Sequence, residues 1–254
     1  MNEKIKRYYI KFRKFRMRYF SKTCNAEYFN QTLRMEGISV GKGTIFYSPE
    51  TMVIDRQRPW MLIIGEYCKI TAGCTILTHD YSRSVLRRAY HDIVGEAGMT
   101  VIGNNVFIGM HSIILMGTHI GDNVIVGAGS VVRGNIPSNV VIAGNPARVI
   151  RSLNEHYNRR KSRYIDEAKL FARSYYQRYG KTPSVSDMTA FFPLFFKRDK
   201  QELERFHISL HWNGDEPAEI LEDFLNTEPV YSSYEEFLED AMKGGIGYGK
   251  ENQA

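Results

Sequence analysis

His79 stands beside Asp80 in the run ILTHDYS at residues 76–82. Imidazole is the side chain that accepts and returns a proton near neutral pH, so His79 is the leading candidate for a general base. Asp80 is a candidate to orient that ring or to touch the group that gives up the proton, although adjacent side chains diverge. His111 and His119 read as surface residues rather than catalysts. Two charged stretches flank His79 in sequence. VIDRQRPWML holds Asp55, Arg56, Arg58 and Trp60, and residues 81–98, YSRSVLRRAYHDIVGEAG, hold Arg83, Arg87, Arg88 and His91. Guanidinium groups grip carboxylates and phosphates through paired hydrogen bonds, which suits an anionic substrate; an ordinary solvated basic surface is the competing reading.

What positions these residues is a repeat. From Ile102 an aliphatic residue returns every six positions, at Ile108, Ile114, Ile120, Val126 and Val132, usually followed by Gly. A period of six is neither the 3.6 of a helix nor the 2 of a plain strand, so each unit is a short strand plus a turn, and the chain winds a coil. The phase extends back to Ile64, Ile70 and Ile76, and more weakly to Val40, Phe46 and Met52, while Arg58 breaks it. Ile76 and Ile102 are 26 residues apart, not a multiple of six, so residues 81–98 are expected to leave the coil as a loop at a corner next to His79. Cys68 and Cys74 fall on the small fifth position of their units and are expected to point inward; a metal or redox pair would have closer spacing and further ligands.

ILTHDYS, together with IGDNVIVGAGSVVRGNIPSNVVIAGNPARVI at residues 120–150, makes residues 38–153 resemble the hexapeptide-repeat acyltransferases, in the branch of galactoside, maltose and xenobiotic O-acetyltransferases. The resemblance implies a mainly β fold built on a left-handed parallel β-helix of triangular section. The hand comes from the family alone, since the general rule for parallel crossovers favours the opposite one. It also implies acetyl-CoA as co-substrate, no metal, no covalent acyl-enzyme, and a homotrimer with the donor between adjacent subunits. His79 matches the family's catalytic base. Phe107, Gly109, Met110, Gly127 and Ala128 match donor-lining positions, with the N–H near Met110 facing the oxyanion, and Arg133, Arg148 and Arg151 match phosphate-side positions. For His111 a place close to the acyl donor is the alternative to a surface one. Phe107 stands in place of the usual Trp, and Arg133-Gly134 in place of Thr-Lys, which leaves open which cation meets the 3′-phosphate. The acceptor is then a sugar hydroxyl of a capsular, exo- or lipopolysaccharide or its precursor, with Asp55, Arg56, Trp60, Asp80, Arg83 and Arg88 as expected contacts. A small free sugar, amino sugar or antibiotic is the alternative acceptor. A non-catalytic β-helix scaffold is the remaining alternative, and THDYS and the phosphate-side arginines count against it.

The 254 residues carry a net charge of +6, and the excess is local. Residues 1–22 hold nine bases and one acid, net +8, with Ile5, Tyr8, Tyr9, Phe12, Phe15, Tyr19 and Phe20 at three- and four-residue steps, so residues 1–30 form a basic amphipathic segment. Contact with an anionic membrane surface and packing on the coil are equally good readings of that segment. Nucleic acid is not expected, because no recognised binding fold accompanies the basic run. No uninterrupted apolar stretch long enough for a signal peptide or a transmembrane helix is found, so the expected location is the cytoplasm, possible membrane contact being peripheral at its inner face. Beyond residue 153 the composition changes, and residues 154–254 are expected to be a helical extension. Its helices are placed at 159–179, at 186–196 with Ser186-Asp187 as cap, at 215–226 and at 232–243, before a frayed GGIGYGKENQA tail.

Overall fold

The structure, a computed structural model, describes residues 5, 8–12, 15, 26–208, 210 and 214–243. It forms two compact units, Met1–His156 and Tyr157–Ala254. The first is a three-sided parallel coil whose faces are sheets of five, six and four strands among the described residues. In-register pairing stacks one inward residue per strand. The first face stacks Val40, Ile64, Ile102, Ile120 and Ile136. The second stacks Phe46, Ile70, Ile108, Val126 and Ile142, and the third Ile54, Ile76, Ile114 and Val132. All but Ile136 are buried, and each fully buried aliphatic chain is worth about 1.5–3 kcal/mol relative to exposure. Cys68 and Cys74 are fully buried free thiols inside the coil, as their position in the repeat requires.

The first coil departs from the period. Ile54, not Met52, takes the inward place on the third face; Met52 packs only partly against the core. Two short 3-10 turns, Pro49–Thr51 and Pro59–Met61, absorb the extra residues and shift the phase. Helix α1 (Ala26–Glu36) closes the open end of the coil, an element the periodicity did not reveal. Its Phe29 and Leu33 join the core, Asn30 Nδ2 donates to the Thr44 carbonyl at 2.7 Å, and Arg34 Nε donates to the Val40 carbonyl at 2.7 Å. A solenoid end would otherwise expose both apolar core and unpaired carbonyls.

Residues 81–98 do leave the coil, but not as plain loop: helix α2 (Arg83–Tyr90) forms within them, with no buried residue. After the last coil, Ser152 and Glu155 exchange hydrogen bonds in a capping box that starts α3 (Leu153–Tyr179), six residues earlier than the apolar spacing indicated. In the second unit, Ala168 and Ala172 of α3 pack with Phe192, Phe195, Phe224 and Phe237, alongside α4 (Lys200–Arg205), α5 (Pro217–Leu225) and α6 (Tyr234–Lys243). The helix expected over 186–196 is instead two 3-10 turns, Val185–Met188 and Phe192–Leu194. Ser184, rather than Ser186, caps the first turn, with Asp187 as its reciprocal partner, and Pro193 denies the second a continuing N–H ladder. With these helices the chain is mixed α/β as a whole, and among the described residues its strands all lie in the coil. Of the basic amino-terminal run, Ile5, residues 8–12 and Phe15 are described and helical, with Ile5, Tyr8, Tyr9, Phe12 and Phe15 exposed. The rest of that run and the tail from residue 244 lie outside the described residues. Among those residues no helix is long and apolar enough to cross a membrane.

Candidate active site

The corner between the third and first faces carries both interruptions of the repeat. Residues 55–61 bulge there in the first coil, and residues 78–99 bulge there in the next. His79 lies at this corner, with its side chain 17% exposed. Beneath it sits Asp55, whose side chain is 3% exposed. An ionised carboxylate so buried is tolerable only when donors surround it. Gln57 N donates to Oδ1 at 2.9 Å, Thr78 N donates to Oδ2 at 3.2 Å, and the Thr78 hydroxyl and His79 Nδ1 also donate to Oδ2. Burial raises the Asp55 pKa, but the hydrogen bonds from Thr78, Gln57 and His79 together outweigh it and hold the carboxyl below its ordinary value. Asp55 is therefore an anion at neutral pH and can only accept. Nδ1 of His79 must then carry the proton, and the lone pair is on Nε2, which has no partner among the described residues.

This arrangement corrects two expected acceptor contacts, Asp55 and Arg56, and the expectation that Asp80 orients the ring. Asp55 is not presented to a substrate; it orients the base. Arg56 turns away to Glu36 at 3.2 Å and lies over the Phe29 ring, tying α1 to the coil. Asp80 does not reach the imidazole; its Oδ1 accepts from Ser82 N at 2.8 Å and from Ser82 Oγ at 2.6 Å. Trp60, 68% exposed on the same corner, keeps a surface that an acceptor can meet. Glu96, which the sequence did not mark, accepts from Asp80 N at 3.0 Å through its side chain and from Arg58 Nη1 at 2.7 Å through its carbonyl. It pins the two ends of the bulge together beside His79. The signal for Asp55 was present but needed the register: once Ile54 pairs with Ile76, Asp55 lies against the strand leading to Thr78 and His79.

The residues expected to line a donor gather elsewhere. Phe107, 42% exposed, stands outward on the second face between Lys69 and Ile125. Gly109, Met110, Gly127 and Ala128 follow on the corner between the second and third faces. A side chain at Gly109 would meet the Ala128 backbone nitrogen at 2.5 Å, so the two turns approach closely only because Gly109 has none. At the corner between the first and second faces, side chains seal the turn amides: Glu66 N bonds Asn104 Oδ1 at 2.9 Å, Asn104 N bonds Asp122 Oδ1, and Asp122 N bonds Ser138 Oγ at 2.9 Å. The amides of Met110 and Ala128 have no such partner among the described residues. They are open donors on a smooth edge, suited to amide carbonyls or to a developing oxyanion. Arg148 and Arg151 close the second sheet on its last strand, Ala147–Ser152. Arg133 is exposed on the His79 corner instead, apart from the other donor-side residues of its own chain. Among the described residues no group of three or more His, Cys, Asp or Glu is placed to hold a metal.

His79 and the Met110–Ala128 edge thus stand at opposite ends of the third face. Within one chain they are not brought together.

Comparison with known proteins agrees with this architecture. The family model described as bacterial transferase hexapeptide (six repeats) matches residues 99–134. Protein CapG of Staphylococcus aureus is 39% identical over 121 residues, which is 48% of this chain and 69% of that protein. Galactoside O-acetyltransferase of Escherichia coli (strain K12) is 52% identical over 115 residues, 43% of this chain and 55% of that protein. WbbJ of the same strain, whose name assigns it provisionally to lipopolysaccharide biosynthesis as an O-acetyl transferase, is 52% identical over 59 residues, 23% of this chain and 30% of that protein. The repeat, its inward stack and these relatives lead to one assignment: the chain belongs to the left-handed β-helical hexapeptide-repeat transferases, in the branch of the O-acetyltransferases.

Proposed function

We propose that this protein transfers the acetyl group of acetyl-CoA to a hydroxyl of a sugar in a cell-surface polysaccharide or its precursor. The observation that carries the chemistry is the Asp55–His79 pair, which fixes the imidazole tautomer and leaves Nε2 as a proton acceptor at a solvent-facing corner. His79 Nε2 takes the hydroxyl proton as the oxygen attacks the thioester carbonyl carbon. The open amide of Met110 meets the resulting oxyanion, and collapse breaks the C–S bond and releases CoA as its thiol, the imidazolium returning the proton. Phe107, Gly109, Met110, Gly127 and Ala128 hold the donor, and Arg148 and Arg151, with Arg133 reaching from the His79 corner of a neighbour, meet its phosphates.

Since the base and the donor edge lie at opposite ends of one face, a donor on one copy reaches the His79 of another, and a closed three-fold ring makes three equal sites. The polysaccharide reading is supported by the name of WbbJ. It is further supported by the exposed apolar side chains of the basic amino-terminal segment, which suit peripheral contact with an anionic membrane carrying the acceptor on its cytoplasmic side. The test is thiol release from acetyl-CoA across a panel of polysaccharide fragments, free galactosides and an antibiotic, with vesicle sedimentation of the same enzyme with and without residues 1–22. Turnover should require a glycan fragment, and only the longer protein should sediment with anionic vesicles. Turnover confined to free galactoside or antibiotic would replace the polysaccharide acceptor, release with no acceptor would remove the reaction, and equal sedimentation would remove the membrane contact.

A further inference from the structure

We propose that helix α2 is the subsite for an anionic group on the acceptor, a carboxylate or a phosphate ester carried by the sugar chain. The inference rests on the acetyl-transfer reading and names its substrate class. α2 contains Arg83, Arg87 and Arg88 and no acid. None of the three guanidinium groups has a carboxylate within ion-pair distance among the described residues; Arg83 lies over the Tyr81 ring, 5.5 Å from its centre. Arg83 and Arg87 are one turn apart, so they present two planar forks to the same side of the helix. Three like charges on two turns repel one another, and they are retained without compensation from the acids at the base of the bulge. Asp80 is engaged by Ser82, and Glu96 by Asp80 N. Asp92 is exposed beyond the end of the helix.

The bulge is anchored where chemistry occurs. Gly98 N donates to the Thr78 carbonyl at 3.1 Å, Asp80 N to Glu96 and Arg58 to the Glu96 carbonyl, so α2 springs from a fixed base that begins one residue after His79. An acceptor whose hydroxyl meets Nε2 therefore passes a cationic ridge held beside the base. Arg56 is paired with Glu36 and Arg58 is tied to the Glu96 carbonyl, so neither competes with the α2 arginines for the acceptor's charge. Guanidinium pairing with a carboxylate or phosphate supplies both attraction and orientation.

The test uses the full-length enzyme and three acceptors matched in length: a neutral oligosaccharide, one containing a hexuronate, and one containing a phosphodiester. Wild-type kcat/KM should be highest for one of the charged acceptors and should fall with added salt, as screening requires. Arg83→Glu and Arg87→Glu should each raise KM for that acceptor roughly 10- to 100-fold, while the neutral acceptor changes by less than about 3-fold. Which charged arm prevails separates carboxylate from phosphate. Equal losses on charged and neutral acceptors, or a wild-type preference for the neutral one, would overturn the subsite. So would a smaller assembly mass for Arg87→Glu, because α2 would then be a contact between copies. Donor-free binding of each oligosaccharide by calorimetry keeps the two readings apart: charge-selective, arginine-dependent binding without turnover would sink the acetyl transfer and leave the anion site standing.

Discussion

His79→Ala should lower kcat by roughly 10²–10⁴-fold, the range set by loss of a positioned general base. Folding should survive. The side chain stands at a corner and not in the inward stack, and Asp55 keeps Thr78 and Gln57 as donors when the imidazole is gone. Thiol release with acceptor at saturation gives the rate, and a thermal melt checks the fold. A variant that turns over near the wild-type rate would remove His79 from the chemistry. One that melts far below wild type would show that the corner, not the base, had been lost.

Asp55→Asn should come close to the same loss, on the order of 10²–10⁴-fold in kcat, while leaving nearly every atom in place. The carboxylate accepts from every group around it, whereas an amide must turn its own NH2 toward one of them. Facing His79, that NH2 would pull the ring proton to Nε2 and occupy the base. Leaving a buried donor unpaired costs about 1–3 kcal/mol, so a modest stability loss accompanies the kinetic one. Two readouts separate positioning from mere stability. KM for acetyl-CoA should stay near its wild-type value while kcat falls, and the Nδ1 proton resonance of His79 should disappear. A fall in rate no larger than the unfolded fraction would assign Asp55 to the fold alone. The sign of the acid effect is also set. Because the folded Asp55 pKa lies below its ordinary value, its contribution to stability is present at neutral pH and above the unfolded pKa. It is lost as pH falls through the depressed folded value, and Asp55→Asn should lack that acid-dependent component.

The coil was legible because a narrow prism admits one inward aliphatic residue per six, and Ile102 through Val132 obey that rule without exception. The same rule failed in the first coil. There Phe46 to Ile54 spans eight residues and Ile54 to Ile64 ten, with proline turns taking up the surplus, so a fixed phase selects Met52 in place of Ile54. Helix α2 escaped notice because it is only two turns long: its apolar residues Val85, Leu86, Ala89 and Tyr90 stay exposed and repeat too few times to set a period apart from the charged residues between them. His79 was legible from its motif and its corner. Its partner was not, since Asp55 precedes it by 24 residues and reaches it only through cross-coil register. Charged residues inside an irregular stretch looked like substrate contacts. Burial, which sequence does not display, instead made Asp55 a support for the base and Arg56 a tie to α1.

The account turns on a base from one copy meeting a thioester held by the next. A crystal structure of the full-length protein with CoA bound measures that directly. We expect the sulfur within about 4 Å of His79 Nε2 of one subunit, near-attack range, with the pantetheine arm running along the Met110–Ala128 edge of its neighbour. CoA seated on a corner that no copy's His79 approaches would contradict the account, whatever the activity of the preparation.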